Sequence, residues 1–428
     1  MKRRDFLKTL SAIGLTSAVL PKTTQAAEDL ADYDGPLFVY YNCNAGIDQS
    51  SWVDPRANED VNKWATGGVN FSTAGNIRYA PMANNTSFFQ KYADRMLVVN
   101  GVNVQSNSHA SRAYRATGNQ SEGYPQLVEL FSAIKGPGRP MAYLRGKTTV
   151  SDHLGLIARS SIPSLTLLRT VADPNYVDDT RSVLPSEDLA LINQLKANKY
   201  TAKANDSTLT QRQRHRYSEI NNAFNSTDGL KNIIPFLPDA LDDGHSEMHT
   251  FLIAASLGLS VGATFGNGGY DTHTDHDNRM IPVLTKLTDR IDYLWTKAEE
   301  LDVTNGTNLA DRLVVLISSD VGRKPFYNNN AGKDHYPFSS DVIMAKGQGW
   351  TNRVVGFTGP VHEGRKVNND LSAATGDAGE YIYPEHIHAM VRNILGIDTH
   401  ALALSYPLDA AASLPLLHQS GQTGYIDV

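Results

Sequence analysis

The segment GGYDTHTDHD carries Asp271, His273, Asp275 and His276, and a later loop, GKDHYPF, adds Asp334 and His335. Carboxylates interleaved with imidazoles are the donors of a divalent metal centre. Zinc is the leading ion, with manganese or calcium as alternatives, although calcium takes oxygen ligands only. One or two ions could be held. Residues of similar type recur elsewhere: Asp48 follows FVYYN, Ser108 and His109 lie in NSHASRAYRATG, and Asp320 and Arg323 stand in SSDVGRKP. A serine beside such cations is a candidate nucleophile, because a neutral hydroxyl attacks poorly until a nearby cation lowers its pKa. Arg112, four residues after Ser108, would share a helix face with it and could hold an ester oxygen; Arg323 is a second candidate for that role. Backbone amides at the start of the same helix would add to an anion site. His109 could orient a substrate as part of the catalytic set, and each residue also has a plainer reading: Ser108 as a helix cap, His109 as a packing residue, and the two loops as solvated turns.

The elements that must position these residues are legible as short β-branched runs bounded by Gly, Asn or Asp. They predict buried strands over 37–41, 96–99, 165–168, 259–265, 313–318 and 341–345. Helical periodicity falls between several of them, over 247–257, 279–301 and 385–395. Strands alternating with helices imply an α/β fold around a mostly parallel, doubly wound sheet, with polar loops at the carboxyl ends of the strands forming the site. Asp48, His109, Asp271 and Asp320 all follow such strands. The stretch 185–225, rich in Lys, Gln, Asn and Arg, reads as an exposed helical insertion. His245, His249, His386 and His388 lie on helical patterns and are expected at the surface or the core edge.

In this order the motifs resemble those of the alkaline phosphatase and sulfatase superfamily. NSHASRAYRATG matches the Ser, Ala, Ser and terminal Thr-Gly of the alkaline phosphatase nucleophile segment without a gap, so the resemblance puts Ser108 at the nucleophile. It also implies metal ligands at Asp48, at Asp271 with His273 or His276, at Asp320, at Asp334 and at His335, within a three-layer sandwich. Two departures stand out: Val321 follows Asp320 where the enzymes have histidine, and Asn107 stands where they have a ligating Asp. Both leave a second metal short of ligands, and a basic residue could substitute for it. Over nearly its full length the chain also resembles the exported family called domain of unknown function 1501, through its Gly-x-Asp-Thr-His, acid-x-Gly-Arg and Asp-His motifs. The activity implied is metal-dependent hydrolysis of phosphate or sulfate esters, on a small molecule or an extracellular polymer, with Ser108 or a water as the attacking group. Uncatalysed phosphate monoester hydrolysis is slow enough to need up to ~10²¹-fold acceleration, which cations clamping the reacting oxygens help to supply. A non-catalytic envelope protein that keeps the fold, or a transferase of a phosphate-linked group, would carry the same residues.

The first residues, MKRRDFLKTL, place Arg3 and Arg4 ahead of an apolar run and small residues near Ala26 and Ala27. That is the order of a twin-arginine signal peptide, expected over 1–27 with the folded domain over 28–428. The translocase is then a transient partner, and the expected location is the periplasm or the exterior, with no stable membrane anchor. A net charge of -6 excludes a nucleic-acid surface. The single cysteine, Cys43, excludes an internal disulfide and is expected as a buried bystander.

Overall fold

The structure, a computed structural model, describes residues 33–148, 153–161, 165–173, 175–178, 180–225, 234–238, 240–301, 308–376, 378–408, 414–417 and 424–425. The twin-arginine segment, 1–27, lies outside the described residues.

Every residue of strand Leu37–Cys43 is buried, and its side chains alternate between two cores. Leu37, Val39, Tyr41 and Cys43 enter one; Phe38 and Tyr40 enter the other. A strand apolar on both faces needs a cover on each. Helices Asn85–Tyr92, Asp243–Ser256 and His276–Glu300 feed side chains into the first core. Helices Leu127–Lys135 and Pro384–Ile394 feed the second. The result is the expected three-layer mixed α/β sandwich.

The central sheet runs, edge to edge, through Arg353–Val355, Met96–Asn103, Phe338–Ala345, Leu313–Ser319, Leu37–Cys43, Gly262–Asn267, Tyr143–Arg145 and Arg159–Ser161. All neighbours are parallel except Phe338–Ala345, which runs against both strands beside it. Residues 165–168, expected as a strand, belong instead to helix Leu165–Ala172. There Leu165, Leu168 and Ala172 are buried at helical spacing, a period that the short apolar run concealed. Within 185–225 the helices Ser186–Ala204 and Gln211–Asn225 pack on each other, and the first buries none of its residues. Among the described residues, no helix is long and apolar enough to cross a membrane.

His386 and His388 correct a second expectation, because both are buried. Burial pushes His386 down to about 4 and His388 down to about 3, and it also lowers His276 and His362. The folded protein therefore keeps these rings neutral where the unfolded chain, with imidazoles near ~6.5, takes up protons. Stability should fall as pH drops from about 6.5 towards 4, by up to about 1.4 kcal/mol per pH unit for each ring. Urea midpoints at pH 7, 6 and 5 check this; a midpoint that stays level would refute it.

Candidate metal centre

Met96–Asn103, Leu313–Ser319, Leu37–Cys43 and Gly262–Asn267 point the same way, so the loops after them meet at one edge of the sheet. Ser319 joins two of those loops. Its hydroxyl donates to the carbonyl of Cys43 at 2.6 Å and accepts the amides of Gly46 and Ile47. Asp320, next in the chain and buried, accepts the amide of Ala45 at 2.9 Å. On the far side the two histidine-bearing loops are joined backbone to backbone. Lys333 N donates to Thr272 O, Asp275 N to Asn330 O, and His276 N to Ala331 O. Arg323 pairs with His335 in a short antiparallel ladder. A Cβ on Gly332 would stand 1.9 Å from the carbonyl of His273, so this closure requires glycine.

Three imidazoles converge on Asp271. His335 Nδ1 lies 2.9 Å from the carbonyl of Asn107, His273 Nδ1 3.1 Å from Asp334 Oδ1, and His109 Nδ1 2.8 Å from Asp320 Oδ2. All three partners are acceptors, and with the hydrogen on Nδ1 each ring would turn the lone pair of Nε2 inward. The Nε2 atoms of His273 and His335 stand 3.2 Å apart, and each is 3.1 Å from Asp271 Oδ1. His109 Nε2 is 3.8 Å from Asp271 Oδ2. Lone pairs this close, facing a carboxylate, would call for a positive charge between them.

A metal ion fits that requirement. The donor atoms of His109, Asp271 and His335 all lie within 4.8 Å of one another, with His273 Nε2 alongside. With bonds of roughly 2.0 Å, tetrahedral zinc holds its donors about 3.3 Å apart; His273, His335 and Asp271 come close to that at 3.1 and 3.2 Å, and His109 stands further out at 3.8 Å. Imidazole donors suit zinc or a neighbouring transition ion and argue against calcium. Partners fixed on the far ring nitrogens are the usual support of metal-binding histidines. The group is accessible: the side chain of Asp271 is 44% exposed.

Electrostatics keep Asp271 ionised. Partial burial alone would raise its carboxyl, but the hydrogen bond and the charge of Arg323 bring it down to about 2. Asp334 is also lowered, by its bonds to His273 and Asn328.

Not every predicted residue joins this group. Asp320 and Asp334, expected as ligands, are the carboxylates that orient His109 and His273. His109, expected as a catalytic or packing residue, points its Nε2 at Asp271. Asp48 and His276 lie in a separate buried cluster, 2.9 Å from each other, with Lys333 bonded to Asp48. Arg323 is fully buried, with its donors on the carbonyls of Ala45, Gly46 and Lys333 and on Asp271. It positions Asp271 and has little left for a substrate oxygen. Arg112 is partly exposed and reaches Asp320 Oδ2 at 3.3 Å.

Ser108 is exposed, and its hydroxyl accepts the amide of Ala110 at 3.3 Å. Among the described residues it makes no hydrogen bond to the imidazole group. The helix behind it, Ser111–Thr117, has Ala110 at its cap, so Ser108 is not the cap residue either. The amides of Ser108, Ala110, Ser111 and Arg112 are all bonded within the segment, so the expected anion site on them is already filled. Sequence reasoning missed Lys333; it lies inside the quoted GKDHYPF run, where a loop lysine reads as solvated.

Fold and site together define a mixed α/β protein with a candidate metal-binding group of His109, Asp271 and His335, with His273 beside it, at the edge of its sheet. No protein-family model matches the chain, and no curated protein matches it. Among solved structures it is similar to the PsFucS1 sulfatase from Pseudoalteromonas sp., with 11% identity over 91% of this chain and 73% of that one, and a TM-score of 0.39. It is also similar to BT4656, solved in complex with its substrate D-glucosamine-2-N,6-O-disulfate, with 9% identity over 91% and 81% of the two chains and a TM-score of 0.38. Likeness of this extent decides neither family nor activity.

Proposed function

We propose that this chain is an exported, metal-dependent hydrolase of phosphate or sulfate esters, of the alkaline phosphatase and sulfatase type. The observation that carries the reading is the convergence of three Nε2 atoms on Asp271, each ring held from behind by its own acceptor. His109, Asp271, His273 and His335 would hold the ion. When bound, a zinc-like ion supplies positive charge for an ester oxygen and favours deprotonation of an attacking group.

The chain's own residues do the rest. Asp320 fixes the tautomer of His109 and anchors Arg112, whose partly exposed guanidinium is the available group for a second ester oxygen. Arg323 keeps Asp271 ionised and in place. Twin-arginine export over 1–27, membership of the domain of unknown function 1501 family, and a helical insertion at 185–225 belong to the same proposal, on the motifs quoted above. Ser108, exposed and bonded only locally, gives weight to a second reading: a non-catalytic envelope protein that keeps the metal centre.

Elemental mass spectrometry of the folded protein tests the proposal. About one equivalent of zinc or manganese is expected in the wild type, and a large loss in His335→Ala. A wild type that stays folded and metal-free after reconstitution overturns it. Metal retained without activity on a panel of phosphate and sulfate esters selects the second reading.

A further inference from the structure

Among the described residues, five of the twelve exposed large apolar side chains fall between Tyr176 and Leu195, with Leu191 at 55% and Leu195 at 59%. Tyr176 and Val177 lie in strand Tyr176–Asp178, Val183 just after the strand that pairs with it, and the two leucines in helix Ser186–Ala204. Asn175 ties this hairpin to the start of the helix: its side-chain oxygen accepts the amide of Leu184 at 2.9 Å, and its side-chain nitrogen donates to the carbonyl of Leu184 at 3.1 Å.

The helix has two different sides. Leu189, Ile192, Lys196 and Tyr200 recur at helical spacing and are half-buried towards helix Gln211–Asn225, where Tyr200 stacks on Tyr217 at 6.4 Å. Glu187, Leu191, Leu195 and Lys199, four residues apart, form a row along the outer side, and all four are exposed. This row complements itself. Both the leucines and the charges are centred on position 193, so a two-fold axis level with Asn193 sets Leu191 against the second copy's Leu195, and Glu187 against the second copy's Lys199. A parallel copy would instead set glutamate against glutamate and lysine against lysine. We propose that the outer face of Ser186–Ala204 binds a second copy of this chain, helix against helix and antiparallel, in a two-fold dimer. The leucines make the apolar centre of the contact, and the charges at the two ends set its direction and register.

Sedimentation velocity of the full chain over a dilution series tests this. Wild type should form a dimer that dissociates on dilution. Leu191→Asp places a charge at the centre twice per dimer and should weaken association by roughly 100-fold or more. Glu187→Lys and Lys199→Glu should each weaken it roughly tenfold through like-charge contacts. The double variant Glu187→Lys, Lys199→Glu should restore it, because the antiparallel pairs are re-formed with their signs exchanged. All these positions are exposed, so thermal melts of the dilute variants should match dilute wild type. A wild type that stays monomeric overturns the inference, as does Leu191→Asp dimerising as tightly as wild type, or a double variant no tighter than the single ones. A monomeric wild type that sediments with anionic vesicles overturns it too and gives the face to a membrane surface.

Discussion

Asp271→Ala should strip the protein of its metal and leave the fold standing. The carboxylate is the one group that all three Nε2 atoms approach, at 3.1, 3.1 and 3.8 Å. Losing an outer partner of a metal-binding histidine typically costs roughly 10–100-fold in affinity; losing the shared ligand should cost more than 100-fold, by the same measure. Ester hydrolysis should fall to background with it. The fold should survive because the side chain is half-exposed and Arg323 keeps three carbonyl partners, those of Ala45, Gly46 and Lys333. Metal analysis beside a thermal melt checks both halves. Full metal occupancy in a folded variant would remove Asp271 from the centre.

Asp48→Ala should do the reverse. Its carboxylate is completely buried and accepts from Lys333, His276, Ser50 and Ser51. Burial would raise its pKa, but the Lys333 charge and the His276 hydrogen bond hold it well below the usual carboxylate range. Its stabilising contribution is therefore complete above the unfolded value near ~4 and is lost as pH falls below that. Removing it leaves a buried ammonium without its counter-charge, which costs about 3–5 kcal/mol. Urea unfolding at neutral pH should show that loss, with Asp48→Asn, which keeps acceptor and shape, losing less. A variant as stable as wild type would mean that Lys333 finds another partner.

These two aspartates also show how far the sequence could be read. Long runs such as Leu313–Ser319 declare themselves, and the acids and histidines after them were found from type and position alone. The short strands Tyr143–Arg145, Arg159–Ser161 and Arg353–Val355, the last two at the sheet edges, have three residues each, too few for any periodicity. The roles within the site were harder. Nothing local tells that Asp320 orients His109 from 211 positions away, or that Lys333 neutralises Asp48 from 285 positions away. Ser108 shows the opposite error: matching residue types in NSHASRAYRATG did not fix where its hydroxyl points.

The reversed strand, Phe338–Ala345, has a consequence for synthesis. It is inserted between Leu313–Ser319 and the much earlier Met96–Asn103, and it begins just after His335. As the chain leaves the ribosome, Met96–Asn103 can acquire neither sheet neighbour until residues beyond 338 have emerged. His109 therefore waits, on its side of the gap, for most of the chain to be made before His335 arrives beside it. The imidazole group can close only late, as the sheet itself closes, so capture of the proposed metal would be tied to the last steps of folding. If the chain is exported already folded, as proposed above, the compartment in which it is synthesised, rather than its destination, would choose the ion.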